Sequence, residues 1–396
     1  MKKKIIYVLP RRPWPPYAGQ AKLAYSRAKI LKELGYETIL IFVSRNSKKI
    51  IKKNDQELRQ AFNQIQSIDL SILDLIYICF LALPRSLTKS LPIRTQLIFS
   101  ELIIKKFKKI IKKYKNDCFI HLYSASTFPF WKIIDAEEIP FAIDLVDSAT
   151  LNIKRKLKLK TTLLNYLFWK FEYKLTKNFE SNLPLFNFCR AYLSVSKEDL
   201  KLLKPEAKSK KNILFKNSSV GVDINNFTYS GVEKSYDIIF FGSLWYEPNI
   251  NAVIWLINKV MKYVWKENNK IKLLITGAKP SKAIENICLF NKNITLIRNP
   301  KNMEKLIKAS KISVAPMLSG SGQQNKILEA ISIGIPVITT SIAAKPLELL
   351  NNQHLLVADS PEQFANSILK LFVNKHLHRK LVSNSKSFVF EKYSWR

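Results

Sequence analysis

The sequence predicts an α/β protein made of two successive, doubly wound, Rossmann-like units. Three observations predict it. Residues 5–9 and 38–43 are short apolar, β-rich segments, and residues 21–34 between them carry a helical period closed by Gly35. After the stretch NSSVGVDINNFTYSGVEKSY the same alternation restarts at Asp237. A length of 396 residues is too great for one ordinary domain and suffices for two full cores. The restart puts one domain at 1–230 and a second at 231–396.

The elements follow in order. The first strand, helix and second strand form a right-handed βαβ unit, and further strands are expected at 119–123, 141–145 and 191–194 with basic helices between them. In the second half, strands are expected at 237–241, 272–276, 295–297 and 313–316, and helices at 249–264 and 302–309. The stretch GSGQQNKILEAISIGIPVITT reads as a glycine turn, a helix from about Gln324, a stop at Gly334 and a strand at 337–340. A strand at 355–358 and helices from 361 onward complete the chain. Sheets of this kind bind ligands at the carboxyl ends of their strands, where loops 10–20, 242–249 and 320–324 converge. A cleft between the two domains is the expected site.

Hydrophobic residues make up 47% of the chain and glycine and proline are few, which excludes disordered and fibrous classes. Cys79, Cys118, Cys189 and Cys288 lack metal-ligand and CxxC spacing, so they read as buried apolar residues in a reducing cytoplasm. The apolar run after the basic start is too short for a signal peptide. The stretch SILDLIYICFLALP, residues 71–84, contains Asp74 and is too short to span a bilayer, and it reads as a buried or interfacial helix.

The formal charge is +35, divided as +23 before residue 231 (42 basic, 19 acidic) and +12 after it (23 basic, 11 acidic). In LIIKKFKKIIKKYK, residues 102–115, one helical stripe holds Ile103, Ile104, Phe107, Ile110, Ile111 and Tyr114 among seven lysines. Such a helix suits an anionic membrane surface, and equally a core-packed helix with a solvated lysine face. No recognised nucleic-acid motif accompanies the charge, so nucleic acid ranks below a membrane as partner. The chain is accordingly expected in the cytoplasm, peripheral on the inner face of the cell membrane.

At the glycine stretch, a helix start offers unpaired N–H groups and the positive dipole end, and glycines admit a close anion. Phosphate fits there. Asn325, Lys326 and Glu329 share one face near that start, where Lys326 suits a diphosphate and Glu329 a ribose diol. The competing reading has Ser321 capping the helix and Lys326 and Glu329 forming a solvated pair.

The strings DIIFFGSLWYEPNINAVIWL, LLITGAKP, SVAPMLSGSGQQNKILEAISIGIPVITT and the terminal EKYSW resemble, in order and spacing, the C-terminal half of family 4 glycosyltransferases. PPYAGQ, IDLVDSATLNIKRK, SVSKED and NSSVGVD resemble its N-terminal landmarks. The resemblance implies a GT-B fold, in which two Rossmann-like domains face across a cleft. It implies hexosyl transfer with retention, no bound metal and no cofactor, from a nucleotide-diphosphate sugar held by the second domain. The acceptor, a lipid-linked or cell-surface glycan in surface-polysaccharide assembly, would sit on the first.

On this resemblance Lys326 and Asp147 are the catalytic candidates. Lys326, with the amides around Gly320 and Gly322, would neutralise the leaving diphosphate. Glu329 would hold the ribose, with Asn325, Gln324 and Gly242 beside the donor and Gly19 letting the first loop lie against donor phosphate or acceptor. Asp147, just past a strand, would bind or orient the acceptor; otherwise it or Ser148 caps the next helix. Asp144 reads as structural, and His121 as either a core histidine or a catalyst. Ser321 stands where many members carry glutamate, Gln324 where arginine is frequent, and GSLWYEPN lacks the family's usual cations. Those departures motivate a non-catalytic GT-B protein that binds a glycan or partner; an epimerase on a similar fold is a third reading.

Overall fold

Alternating strands and helices close into two units, Met1–Ser218 and Ser219–Arg396, each around its own sheet. The structure is a computed structural model and describes residues 3–14, 19–44, 55–96, 98, 100–115, 117–158, 162–203, 213–222, 233–319 and 323–395. The division falls earlier than the boundary expected after residue 230 from the restart of the pattern, and residues 223–232 lie outside the described ones.

The first unit runs β1 (Lys4–Leu9), α1 (Gly19–Glu33), β2 (Glu37–Ser44), α2 (Asp55–Ala61), β3 (Gln64–Asp69), α3 (Ile72–Lys89), α4 (Glu101–Lys112) and β4 (Cys118–Tyr123). It continues through α5 (Phe128–Ala136), β5 (Phe141–Val146), α6 (Ala149–Lys156), α7 (Leu163–Ser181), β6 (Cys189–Ser194), α8 (Lys197–Leu203) and β7 (Leu214–Asn217). Its sheet is parallel throughout, in the order β3-β2-β1-β4-β5-β6-β7. Helices cover both faces of such a sheet, so β2 is buried from Thr38 to Val43 and reads as one apolar run rather than an alternation.

The second unit runs β8 (Tyr236–Ser243), α9 (Glu247–Trp255), a π turn at Leu256–Val260, α10 (Met261–Glu267), β9 (Leu273–Ala278), α11 (Lys282–Leu289), β10 (Ile294–Arg298), α12 (Met303–Lys308) and β11 (Ser310–Ala315). It ends with α13 (Asn325–Ile333), β12 (Val337–Thr339), α14 (Ser341–Ala344), β13 (Leu356–Val357), α15 (Pro361–Val373) and α16 (Lys375–Tyr393). Its six parallel strands are ordered β10-β9-β8-β11-β12-β13. In each sheet the first strand is flanked on both sides, β1 by β2 and β4, β8 by β9 and β11. The winding reverses there, and the crevice outside the carboxyl ends of those strands is where doubly wound sheets take ligands.

Two distant motifs meet in the second unit. Val222 N donates to Tyr393 O at 2.8 Å, and the Trp395 indole lies on Gly221, where a Cβ would stand 2.4 Å from Cδ2. Only glycine leaves room for the ring.

Two basic or apolar segments that the sequence left between alternatives are distinguished by their burial. In α4, Ile103, Phe107 and Ile111 are fully buried, and Phe107 stacks on Phe130 at 4.0 Å. The centre of the stripe that the pattern offered to a membrane is therefore core, with Ile104, Ile110 and Tyr114 half-buried, while most of the lysines of α4, with Glu101 and Leu102, meet solvent. In α3 the reverse holds: Ser71 and Asp74 form a capping box that buries the one acid, while Ile72, Leu73, Ile76, Phe80, Leu83 and Leu87 are exposed. Among the described residues, no helix is long and apolar enough to cross a membrane. Cys118, Cys189 and Cys288 are free and buried.

Candidate functional site

The reversal point of the second sheet is occupied by Lys326. Its side chain leaves the first turn of α13 and is buried, with Nζ donating to Asn249 Oδ1 at 2.6 Å. Met317 Sδ lies 3.6 Å from it and the centroid of the Phe240 ring 4.4 Å. Asn249, in α9, is itself fixed by donating from Nδ2 to Ser243 O at 3.0 Å. The amine thus sits between the end of β8 and the loop after β11. Burial draws its pKa down to about 7, with Glu329 acting in the opposite direction.

Glycines make this position accessible. Gly242 has φ +151°, and a Cβ there would lie 3.1 Å from Asn249 Nδ2 and 3.3 Å from Lys326 Nζ. Gly277, its neighbour in β9, has φ +155° and would place a Cβ 1.7 Å from Gly242 O. The two strand ends approach this closely because neither carries a side chain.

The start of α13 corrects the competing sequence reading. Gln324, not Ser321, occupies the N-cap position, without a side-chain capping bond, and Lys326 is buried rather than solvated. Asn325 Oδ1 is buried and has no hydrogen-bond partner among the described residues. Gln323 Oε1 accepts from Val220 N at 2.8 Å, pinning the turn before the helix. Glu329 is half-buried one turn after Lys326. Gly320, Ser321 and Gly322 lie outside the described residues.

Asp147 and Gly19 belong to the first unit. β5 ends on Val146 at φ +67°, a costly angle for a β-branched residue, held because its N–H meets Asp144 Oδ1 at 2.7 Å and its carbonyl accepts from Val195 N at 2.7 Å. Ser148, whose Oγ accepts from Leu151 N at 3.2 Å, is the N-cap of α6, while half-buried Asp147 accepts from Asn152 Nδ2 at 2.7 Å. The remaining N–H groups of α6 go to buried Glu180, which takes Ala149 N at 2.7 Å and Thr150 N at 3.1 Å. That end of the helix is filled by the protein's own carboxylate. Nearby Asp199 accepts from Ser148 N at 3.0 Å; burial, then the Asp147 charge, pushes its pKa up to about 7. Gly19 is exposed and opens α1.

Beneath the reversal point of the first sheet lies a polar core. Arg27 of α1 pairs with buried Asp144 and donates to Ser218 O at 2.8 Å and Ser218 Oγ at 2.6 Å. His121 is packed between the rings of Tyr7 and Tyr123, with centroids at 5.7 and 4.4 Å. Burial, reinforced by Arg27, holds its pKa well below the usual histidine range, so it is a neutral core histidine. Asp144 is structural, as the sequence suggested.

Asn249, Phe240 and Met317, which hold Lys326, were missed from sequence. Asn249 was readable only as an ordinary residue opening a helix, and nothing local links it to a lysine 77 positions away.

Residues 235–374 match the family model described as Glycosyl transferases group 1. A protein of Klebsiella pneumoniae, known as an uncharacterized 44.6 kDa protein in the cps region, is 30% identical over 164 residues, 40% of this chain and 42% of that protein. The chain thus spans less than half the length of this curated relative. Among solved structures, a glycosyltransferase from Rickettsia africae superposes with a TM-score of 0.64 at 17% identity, covering 99% of this chain and 94% of that one. Anabaena HepE, solved with UDP and glucose, gives 0.65 at 12% identity, covering 99% and 96%. The segment that holds Gly242, Asn249, Lys326 and Glu329 therefore matches the group 1 glycosyl transferases, and the chain as a whole has the GT-B fold.

Proposed function

We propose that this chain is a retaining, metal-independent glycosyltransferase that moves a hexosyl group from a nucleotide-diphosphate sugar to a glycan or lipid-linked acceptor in surface-polysaccharide assembly. The observation that carries it is the buried Lys326 amine at the carboxyl end of β8, beside a glycine that keeps side chains away. In the reaction the bond from the anomeric carbon to the diphosphate breaks and its electron pair stays on the diphosphate oxygen. Lys326 and the amides around Gly320 and Gly322 meet that growing charge. The acceptor oxygen bonds to the same face of the sugar, and its proton passes to the departing diphosphate.

Glu329 would accept from the ribose hydroxyls, and the unpartnered Asn325 Oδ1 offers a further acceptor beside Gln324. Asp147 would orient the acceptor and Gly19 let the first loop approach it. HepE, solved with UDP and glucose, supports a nucleotide-sugar donor, and the cps-region relative supports a polysaccharide setting. Such an acceptor places the protein at the inner face of the membrane.

Gln324, where the family often has arginine, supports a second reading: a non-catalytic GT-B protein that binds a glycan or partner. A panel of UDP-, GDP-, ADP- and TDP-sugars in thermal-shift and titration calorimetry separates the two. A donor that raises the unfolding midpoint and is consumed only with acceptor supports transfer. No binding by any donor returns the chain to the second reading.

A further inference from the structure

Helix α3 is amphipathic in the wrong sense for a soluble protein. Its inward side carries Asp74, Ile78, Ala82 and Ser86, whereas Ile72, Ile76, Phe80, Leu83 and Leu87 recur at helical spacing on the outside. Ile72 and Phe80 are 77% and 79% exposed. A contiguous outward stripe of this kind is a docking surface rather than ordinary scatter.

A second exposed apolar element lies on α7, which is bonded to the segment that follows α3. Ile93 N, just after α3, donates to Glu172 Oε2 of α7 at 3.1 Å. The first two turns of α7 expose Leu163, Leu164, Leu167 and Phe168. Lys156 Nζ lies 4.0 Å from the Trp169 ring centroid, and Lys170 Nζ 5.9 Å from that of Tyr166. Aromatic rings paired with lysines are the chemistry of the headgroup layer, where one end is apolar and the other charged.

Charge selects the occupant. Residues 150–177 hold eight lysines and arginines against one acid, Glu172, and residues 72–89 hold one acid, Asp74; both acids are buried. Among the described residues of these two segments no carboxylate is exposed, and of their cations Arg155 pairs with Glu198 at 3.2 Å. A second copy of this chain, docked through the same face, would set those cations against one another.

We infer that the outward face of α3 and the exposed start of α7 dock on an anionic phospholipid bilayer, with the helices lying in the headgroup layer. This rests on the membrane part of the proposed function, moves it from α4 to α3 and α7, and is independent of donor chemistry.

The test is sedimentation of the full chain with vesicles of phosphatidylcholine alone or mixed equally with phosphatidylglycerol, no nucleotide sugar being present. Wild type should pellet with the mixed vesicles and not with the neutral ones, and added salt should release it. Ile76→Ser with Phe80→Ser should weaken binding by roughly a hundredfold, from the loss of two large apolar side chains, with an unchanged thermal midpoint because both are exposed. Lys105→Ala with Lys109→Ala on α4 should bind nearly as wild type. Wild type left in solution, a double α3 variant that binds normally, or an α3 variant that only converts a dimer to a monomer would each overturn the assignment. Donor titration on the same preparation reports separately on the transfer reaction.

Discussion

Asn249 Oδ1 accepts a 2.6 Å hydrogen bond from Lys326 Nζ, so the amine at the end of β8 is positioned by an uncharged partner. A neutral partner fixes geometry without cancelling charge. The amine stays available to an arriving anion, which a carboxylate in the place of Asn249 would pre-empt.

Lys326→Ala should therefore lower turnover by the ~2–4 kcal/mol typical of losing one donor to a developing anion, with a smaller loss of donor binding. Glu329→Gln should instead raise the donor Kd about ten- to a hundredfold, as for a lost charge-assisted bond in the ground state. Calorimetry and steady-state rates on both variants check this, and two kinetically silent variants would assign the loop to architecture.

Asn249→Asp tests the neutral partner directly. A carboxylate there should raise the Lys326 pKa, hold the ammonium as an ion pair and compete with diphosphate, so donor affinity should fall although a positive charge is gained. An unchanged or tighter Kd for Asn249→Asp in calorimetry would contradict it.

The lowered Lys326 pKa of about 7 fixes a sign with pH. Above pH 7 the free protein carries a neutral amine, and an arriving diphosphate must draw a proton from solvent. Donor Kd should therefore rise with pH above 7, by at most about tenfold per unit, and buffers of different ionisation heat should reveal proton uptake. Lys326→Ala should flatten the profile. The same shift makes the unfolded chain hold more protons between pH 7 and the ordinary lysine range, so folding stability should rise with pH across that window and Lys326→Met should remove the rise.

Glycine substitutions should separate fold from site. Gly277→Ala places a methyl 1.7 Å from a backbone oxygen and should prevent the second unit from folding. Gly242→Ala meets only side-chain ends at 3.1 and 3.3 Å and adds the ~1–3 kcal/mol strain of a positive φ, so the protein should fold with a lower midpoint and weakened donor binding. Solubility, circular dichroism and calorimetry distinguish these outcomes.

His121 should make the first unit acid-sensitive. Its folded pKa is depressed, so stability is full above the ordinary histidine pKa and is lost as pH falls below it, where only the unfolded chain takes the proton. His121→Gln should cost stability at neutral pH through imperfect packing, yet flatten the fall in denaturation midpoint between about pH 6.5 and 5.

Much of this was legible in the sequence because parallel, doubly covered sheets write their strands as continuous apolar runs. β1, β2, β8 and β9 fall where those runs lie, and Gly334, at φ +86°, ends α13 where a glycine stop was expected. β3 and β7 escaped notice: QIQSID and LFKN are edge strands with few buried positions, so their apolar signal is weak. α4 was left open between a membrane and the core because periodicity reports that a helix has an apolar stripe and not what covers it; Phe130 stacks on Phe107 of this one. Lys326 was found from its motif, but its burial and its bond to Asn249 depend on β8 and β11 lying side by side, which no local pattern encodes.

The indole of Trp395 seated on Gly221, with Val222 bonded to Tyr393, brings the first and last described segments of the second unit into contact. A unit whose ends adjoin behaves as a cassette: it can be excised, grafted or permuted while its neighbour need only accommodate one point of entry and exit.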